Sequence, residues 1–418
     1  MTSKAVGSVT LLVLMVIAIG VNYVDRGSLS IVKTDVAAEF QLSSSQMGLL
    51  FSAFFWSYAL SQIATGWLVD RMDVKWLYAA GFLIWSLATV SMAAASSFTL
   101  FLLLRLLLGF GESVAFPATS RIIVMNFAER RRGIANALVD AASKLGPTLA
   151  LLLGGLLVAS SGWRSLFLVV GLGGLLWLPA WIWLVPSQKR EKTDSNTARV
   201  GNVSFTALLK RQEVWGTSLG FFCLGYTWAF LLSWLPAYLE ESRNFSKESM
   251  ALFGSLPFAA MAVTSICGGW LADRWIQAGA TPTLARKVFM IGGLTLCSGF
   301  MFAAVVTTDP RACILLLCLS CASLGFYTSN VWAVTQTLAG PNAAGQWTGL
   351  QNAIGNIGGA ISPALTGWLV QETGSYYSAF AAASIMLVVG VFAYLALVKQ
   401  ISPLDWEEEK HELQGALR

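Results

Sequence analysis

Twelve apolar runs of membrane-spanning length recur along this 418-residue chain, and no other feature limits its fold as severely. A transmembrane helix needs about 20 mostly apolar residues to cross the hydrocarbon core. The runs begin near Ser8, Ser45, Trp76, Thr99, Gly133 and Ser165 in the first half. Those of the second half begin near Val214, Glu248, Val288, Arg311, Gln346 and Ser375. Backbone polar groups in lipid must be satisfied within the structure, which leaves only helices and closed barrels. No window shows the roughly ten-residue alternation of a barrel strand. The sequence therefore predicts an all-α membrane protein with twelve transmembrane helices. Charged residues supply only 12% of the chain, about half the share of a soluble domain, too little to coat a water-facing surface.

The first run invites comparison with a signal peptide, because Lys4 precedes the apolar stretch from Val9 to Ile17. The helical pattern continues through Asn22 and Tyr23, however, and eleven more runs follow, so it reads as the first span. Basic residues then orient the chain. With the termini and the even-numbered connections on one face, that face carries eighteen of the 27 Lys and Arg residues, including Arg130, Arg131 and Arg132. The opposite face carries five: Lys33, Arg164, Arg243, Lys247 and Arg311. The positive-inside rule places the first face, and both termini, in the cytoplasm of a cell whose plasma (inner) membrane holds the protein. The net charge of +5 is thus topological and implies no nucleic-acid partner.

Metal and redox chemistry find little support. All six cysteines lie in the second half, and Cys318 and Cys321 form a C-x-x-C inside an apolar run without a second ligand pair. The single histidine, His411, sits in a polar tail. No span carries a nucleophile–base constellation, so the sequence predicts no enzyme, no metal and no cofactor.

A repeat organises the runs. Gly66-Trp67-Leu68-Val69-Asp70-Arg71 ends the second, and Gly269-Trp270-Leu271-Ala272-Asp273-Arg274 ends the eighth. Six-helix repeats of this kind characterise transporters whose site lies between two bundles. The expected organisation is an N-terminal bundle over residues 1–185, a polar linker over 186–212, a C-terminal bundle over 213–400 and a cytoplasmic tail over 401–418. These paired G-x-L-x-D-R segments resemble the loop signature of the major facilitator superfamily. The first copy carries Asp73 where that family usually has Gly. The resemblance covers about residues 8–400 and implies a major facilitator fold of two pseudo-symmetric bundles. It also implies that Asp70, Arg71, Asp273 and Arg274 form a conformational latch.

Ionisable residues within spans are costly and usually face a partner or a cavity. Here they concentrate in the first half: Asp25 and Arg26, Arg105 and Glu112, Asp140 and Lys144. The second half offers neutral hydrogen bonders instead, Gln351, Asn352 and Asn356. Residues four or seven apart share a helix face, which aligns Asn22 with Arg26, Arg105 with Glu112, Asp140 with Lys144, and Asn352 with Asn356. Two readings of Lys144 stay open, a second cationic substrate contact or an intrahelical ion pair with Asp140. Asn352 reads either as a substrate contact or as helix–helix glue. Trp and Tyr at span ends act as interfacial anchors, with Trp228, Trp234 and Trp332 as candidate cavity residues.

The segment Asn22-Tyr23-Val24-Asp25-Arg26 closely resembles the first helix of the anion:cation symporter family within that superfamily. Arg105 through Gly111-Glu112 to Phe116-Pro117, and Gly349-Leu350-Gln351-Asn352 through Asn356, resemble it too. The family includes carriers of hexuronates, galactonate and glucarate. The resemblance implies that Arg26 anchors the substrate carboxylate and that Glu112 is the main proton-coupling acid. It makes Asp25 a second protonatable acid, salt-bridged to Arg105. Tyr23, Tyr58 and Asn352 fall where relatives contact sugar hydroxyls, while Ser143 stands where some place an amide. The expected function is proton-coupled symport of a small organic anion, most simply a sugar acid. It would work as a monomer in the bilayer, driven by the proton gradient. Efflux of lipophilic cations would suit an acidic cavity lacking Arg26 and Lys144. A non-transporting anion sensor would be expected to carry an appended signalling domain.

Overall fold

A computed structural model describes residues 7–127, 129–187 and 203–406, and every structural statement below concerns those residues. They form helices and no strand. The first half holds α1 (Ser8–Ile31), α2 (Lys33–Phe40), α3 (Ser44–Arg71), α4 (Val74–Met92), α5 (Phe98–Glu112) and α6 (Ala115–Asn126). It continues with α7 (Glu129–Leu149), one π-helical turn (Ala150–Gly154), α8 (Gly155–Ser161) and α9 (Trp163–Leu184). The second half holds α10 (Phe205–Lys210), α11 (Gln212–Glu241), α12 (Lys247–Gln277), α13 (Pro282–Val306), α14 (Pro310–Gly340), α15 (Gln346–Thr373) and α16 (Tyr377–Ala396). Among the described residues, eleven helical segments are long and apolar enough to cross a membrane. The remaining expected run is α3, whose 28 residues extend about 42 Å at ~1.5 Å per residue.

Side-chain caps set several boundaries. Ser43 accepts from the Gln46 amide while the Gln46 side chain accepts from the Ser43 amide, a reciprocal cap that starts α3. Asp73 caps α4 through the Lys75 amide, Ser97 caps α5, and Thr281 with Pro282 opens α13. Gly340, at φ 61°, separates α14 from α15 in a conformation that L side chains rarely adopt. Residues 188–202 of the expected linker and 407–418 of the expected tail lie outside the described residues.

The chain divides into two compact units. One comprises Met1–Thr193 with Trp228–Ala259 and Gly359–Ala379, and the other comprises Asp194–Thr227, Ala260–Gly358 and Phe380–Arg418. In the first unit α1 packs on α7 and α9, α4 on α5 and α9, and α3 on α5. Aromatic side chains seal the α4–α9 contact: Phe82 stacks on Trp177 at 4.1 Å, and Trp181 donates to the Lys75 carbonyl at 3.0 Å. The first unit also gathers the end of α11 and the start of α12 against α1 and α2. Buried Lys33 pairs with Glu241, Lys247 pairs with Asp35, and Thr34 donates to Glu240 at 2.6 Å. Tyr376 donates to the other Glu241 oxygen at 2.7 Å, and Trp234 lies 5.4 Å from the Lys33 ammonium.

Candidate functional site

The charged residues of the first unit are positioned by a break in the fourth span. Pro117 has no amide hydrogen, so it cannot donate to the Ser113 carbonyl one turn earlier. That carbonyl accepts instead from the Thr65 hydroxyl of α3 at 3.2 Å. The span therefore separates into α5 and α6 just beyond Glu112, with the freed backbone group satisfied by a neighbouring helix. Gly109 draws the same part of α5 onto α3. A Cβ at that position would stand 2.1 Å from Ser57 Oγ and 2.4 Å from the Phe54 carbonyl oxygen. Arg105 is thereby brought against the Phe54 ring.

Arg26 on α1 reaches Glu112 directly, with Nε donating to Oε2 at 2.8 Å. Both groups are buried, Glu112 completely. Aromatic rings surround the guanidinium, whose carbon lies 4.6 Å from the centre of Tyr23, 4.5 Å from Tyr58 and 5.1 Å from Phe54. Cation–π contacts of this kind hold a desolvated guanidinium without occupying its hydrogens. Arg26 Nη2 and Glu112 Oε1 have no hydrogen-bond partner within the protein.

The expected Asp25–Arg105 salt bridge is not formed. Asp25 points toward α4, where its Oδ1 accepts from the Thr89 hydroxyl at 2.8 Å. Arg105 reaches from α5 to α3, donating from Nε to the Leu50 carbonyl at 3.1 Å and lying 5.1 Å from the Phe54 ring. Each finds a local partner on a different neighbouring helix, and Asp25 Oδ2 and Arg105 Nη1 remain without one.

Lys144 does pair with Asp140, Nζ to Oδ2 at 2.6 Å, one turn apart on α7. The lysine side chain is 8% exposed and the aspartate 59%, so the pair is anchored in protein at one end and open at the other. Ser143 returns its hydroxyl to the Asp140 carbonyl at 2.6 Å. Tyr23 meets Trp228 and Phe116 edge-on, at 6.5 and 6.3 Å. Trp234 is a buried packing residue that donates to the Pro363 carbonyl at 3.2 Å.

In the second unit Asn352 and Asn356 lie one turn apart on α15, with Asn356 Nδ2 donating to the Asn352 carbonyl at 3.0 Å. Neighbouring Gln351 is buried and accepts from Thr335 at 2.6 Å, while Trp332 packs on Phe221 at 4.8 Å. Of the expected latch residues, Asp273 pairs with Arg286 at 2.5 Å, and Arg286 also donates to Asn330 at 2.7 Å. Arg71 and Arg274 each lie over the Trp one turn earlier, at 4.0 Å from Trp67 and 5.3 Å from Trp270, so the two repeat copies share this arrangement. The Asp70 side chain lies outside the described residues.

Sequence reasoning missed Thr89, Phe54, Thr65 and Arg286. A hydroxyl inside an apolar run was the available signal for Thr89 and Thr65. Nothing local marks Phe54. Among the described residues no cluster of three His, Cys, Asp or Glu side chains is placed to hold a metal ion, and the six cysteines are free thiols.

Comparison with known proteins places this geometry in context. The model of the Major Facilitator Superfamily matches residues 15–363 and 285–417. The chain is 31% identical to the probable sulfoacetate transporter of Cupriavidus necator, with 95% of each chain covered. It is 30% identical to the probable galactarate/D-glucarate transporter of Escherichia coli, covering 95% of this chain and 96% of that one. Identity to the hexuronate transporter of Bacillus subtilis is 28% over 92% of both. A bacterial homolog of the human lysosomal transporter Spinster, solved in an inward-facing and occupied conformation, superposes with a TM-score of 0.81. That superposition covers 96% of this chain and 98% of that one at 19% identity, a likeness of fold.

Proposed function

The chain belongs to the major facilitator superfamily and is a multi-pass membrane transporter, not an enzyme; from that premise we propose that it carries a small organic anion, a sugar acid, together with protons by alternating access. The observation that carries this reading is the buried Arg26–Glu112 ion pair. An acid in direct contact with a permanently charged guanidinium competes with any anion that the guanidinium binds. Protonating Glu112 removes that competitor, so proton and anion binding favour one another, and linkage makes the effect reciprocal.

On this reading Arg26 takes the substrate carboxylate, while Tyr23, Tyr58, Asn352 and Asn356 contact its hydroxyls. Glu112 is the principal coupling acid, and Asp25, in the field of Arg105, is the second. Asp70, Arg71, Asp273 and Arg274 belong to the latch between the two six-helix halves. The protein works as a monomer in a bacterial inner membrane, with both termini cytoplasmic and no cofactor. Relatives named for galactarate, glucarate and hexuronate transport support the substrate class.

A second reading, transport of a short dianion, is favoured by Lys144, a further buried cation carried on α7, which packs on α1. The sulfoacetate relative is in keeping with it. The test uses purified protein in liposomes with radiolabelled D-galactonate, D-glucuronate, galactarate and sulfoacetate under an inward pH gradient, with a sodium gradient as control. The expected result is uptake of one of these driven by pH and not by sodium. Glu112→Gln should abolish that uptake while counterflow exchange survives. A monodisperse protein that moves none of the four would overturn the proposal.

A further inference from the structure

Asn22 lies one helical turn before Arg26 on α1, completely buried. Its side chain stands beside Glu112, yet neither amide atom makes a hydrogen bond of ordinary geometry, and Glu112 Oε1 is likewise unpartnered. A buried amide with both polar atoms unspent is costly for a structural residue. Packing alone does not account for it, because Leu would fill the same space.

An amide differs from every charged group nearby in that it both donates and accepts. The surrounding charged and titratable groups are Arg26, Asp25 and Tyr23 on α1, Tyr58 on α3, Arg105 on α5, and the Asp140–Lys144 pair on α7; α4 contributes Thr89, which is committed to Asp25. The arginines only donate, the Thr89 hydroxyl is spent on Asp25, the Tyr23 and Tyr58 rings lie against the Arg26 guanidinium, and Asn22 is the neutral amide whose two polar atoms are both unspent. We propose that Asn22 is the positioning residue for Glu112, receiving its carboxylic acid when a substrate anion takes Arg26.

The exchange balances. While ionised, Glu112 is a carboxylate that accepts from the Arg26 guanidinium. One proton converts it to the acid, which leaves Arg26 and pairs with the amide: the acid O–H donates to Asn22 Oδ1, and Nδ2 donates to the acid's carbonyl oxygen. The vacated guanidinium hydrogens go to the incoming carboxylate. One proton and one negative charge enter together, and the acid O–H has an acceptor in Asn22 Oδ1. The role rests on the reading that Arg26 binds the substrate, but the pairing of Asn22 with protonated Glu112 is observable without substrate.

Infrared difference spectroscopy between acid and alkaline pH on the purified protein reads the carbonyl band of a protonated carboxyl, and Glu112→Gln identifies which band belongs to Glu112. Asn22→Val and Asn22→Thr share one shape and differ by an acceptor oxygen. The expected result is a shift of the band to higher frequency in the Val variant and a return toward the wild-type position in the Thr variant. Gradient-driven uptake should fall about tenfold in Asn22→Val, the factor that an unpaired buried donor implies, with counterflow retained. Asn22→Leu replaces the Val variant if the latter is not monodisperse. A band that stays in place without the amide would overturn the proposal, as would a wild-type spectrum with no band that Glu112→Gln removes. A shifted band in a protein that carries none of the four anions would sink the transport reading and leave the pairing standing. An unmoved band with proton-driven uptake intact would do the reverse.

Discussion

Replacing Glu112 by Gln tests the competition at the centre of this mechanism. In the wild type, Glu112 holds Arg26 through a charge-assisted hydrogen bond of 2.8 Å in a dry environment. Such a bond contributes about 1.5–3 kcal/mol. A substrate carboxylate must displace it whenever Glu112 is ionised, so anion affinity should weaken as pH rises. The same energy corresponds to roughly 10- to 150-fold in Kd. Gln keeps the shape and an acceptor oxygen but not the charge, so Glu112→Gln should bind as tightly at alkaline pH as the wild type does in acid. Equilibrium binding of the anion identified by uptake, measured from pH 5 to pH 9 by calorimetry on detergent-purified protein, reads both curves. Asp25, held by Thr89 in the same buried region, leaves a smaller residual slope. A wild-type Kd independent of pH, or a variant that keeps the full wild-type slope, would refute the competition.

Arg26→Lys retains charge but loses the planar fork, and should weaken anion binding by roughly tenfold or more in the same calorimetric assay, with normal expression. Thr65→Val strips the Ser113 carbonyl of its donor at the α5–α6 break and should lower stability by about 1–3 kcal/mol, seen as a reduced Tm in detergent. Lys144→Met should weaken binding of a dianion such as galactarate more than that of D-galactonate; equal loss for both would leave Lys144 a structural partner of Asp140. Glu39 accepts from Arg164 at 2.6 and 2.8 Å and from Trp163 at 2.8 Å, hydrogen bonds that hold its carboxyl below the usual carboxylate range. Its contribution to stability is therefore complete above the unfolded value of about 4.3 and disappears as pH falls through the lower folded value. Glu39→Gln should accordingly flatten the acid limb of Tm against pH, by no more than about 1 kcal/mol for so exposed a group.

The helices were legible because lipid imposes a hydrogen-bonding constraint that sequence obeys one segment at a time. The Arg26–Glu112 contact was partly legible: helical spacing put each residue on a face with other polar groups, but only tertiary packing shows that the two faces meet. Asp25 and Arg105 show where the reading failed. Opposite charges in an apolar region suggest an ion pair, yet a threonine hydroxyl and a backbone carbonyl lay closer in the required directions. The sequence gives little warning of either, since Thr89 is one hydroxyl in an apolar run and the Leu50 carbonyl has no side-chain signal at all. Asp273 has Arg274 beside it in sequence, but adjacent helical residues diverge by about 100° around the axis, and it is Arg286 on the next helix that pairs with it.

Charge balance connects these residues to stoichiometry. Arg26 and Arg105 carry two positive charges, and Asp25 with Glu112 carries two negative charges when both are ionised, so the buried group is neutral without substrate. A neutral arrangement is the one least penalised by desolvation, since an uncompensated charge in a dry site is costly. Adding a monoanion restores neutrality if one acid takes a proton; adding a dianion requires two, and two acids are present. On the proposed reading, one coupling proton then accompanies each carboxylate of the substrate. Lys144 leaves this count unchanged while it stays paired with Asp140, and shifts it by one if a dianion draws it away. Proton flux measured beside radiolabelled uptake should therefore give one proton per D-galactonate, and two or one per galactarate according to whether Lys144 remains with Asp140. A fixed ratio of one for both anions that persists in Lys144→Met would show that Asp25 stays ionised throughout and that Glu112 alone couples.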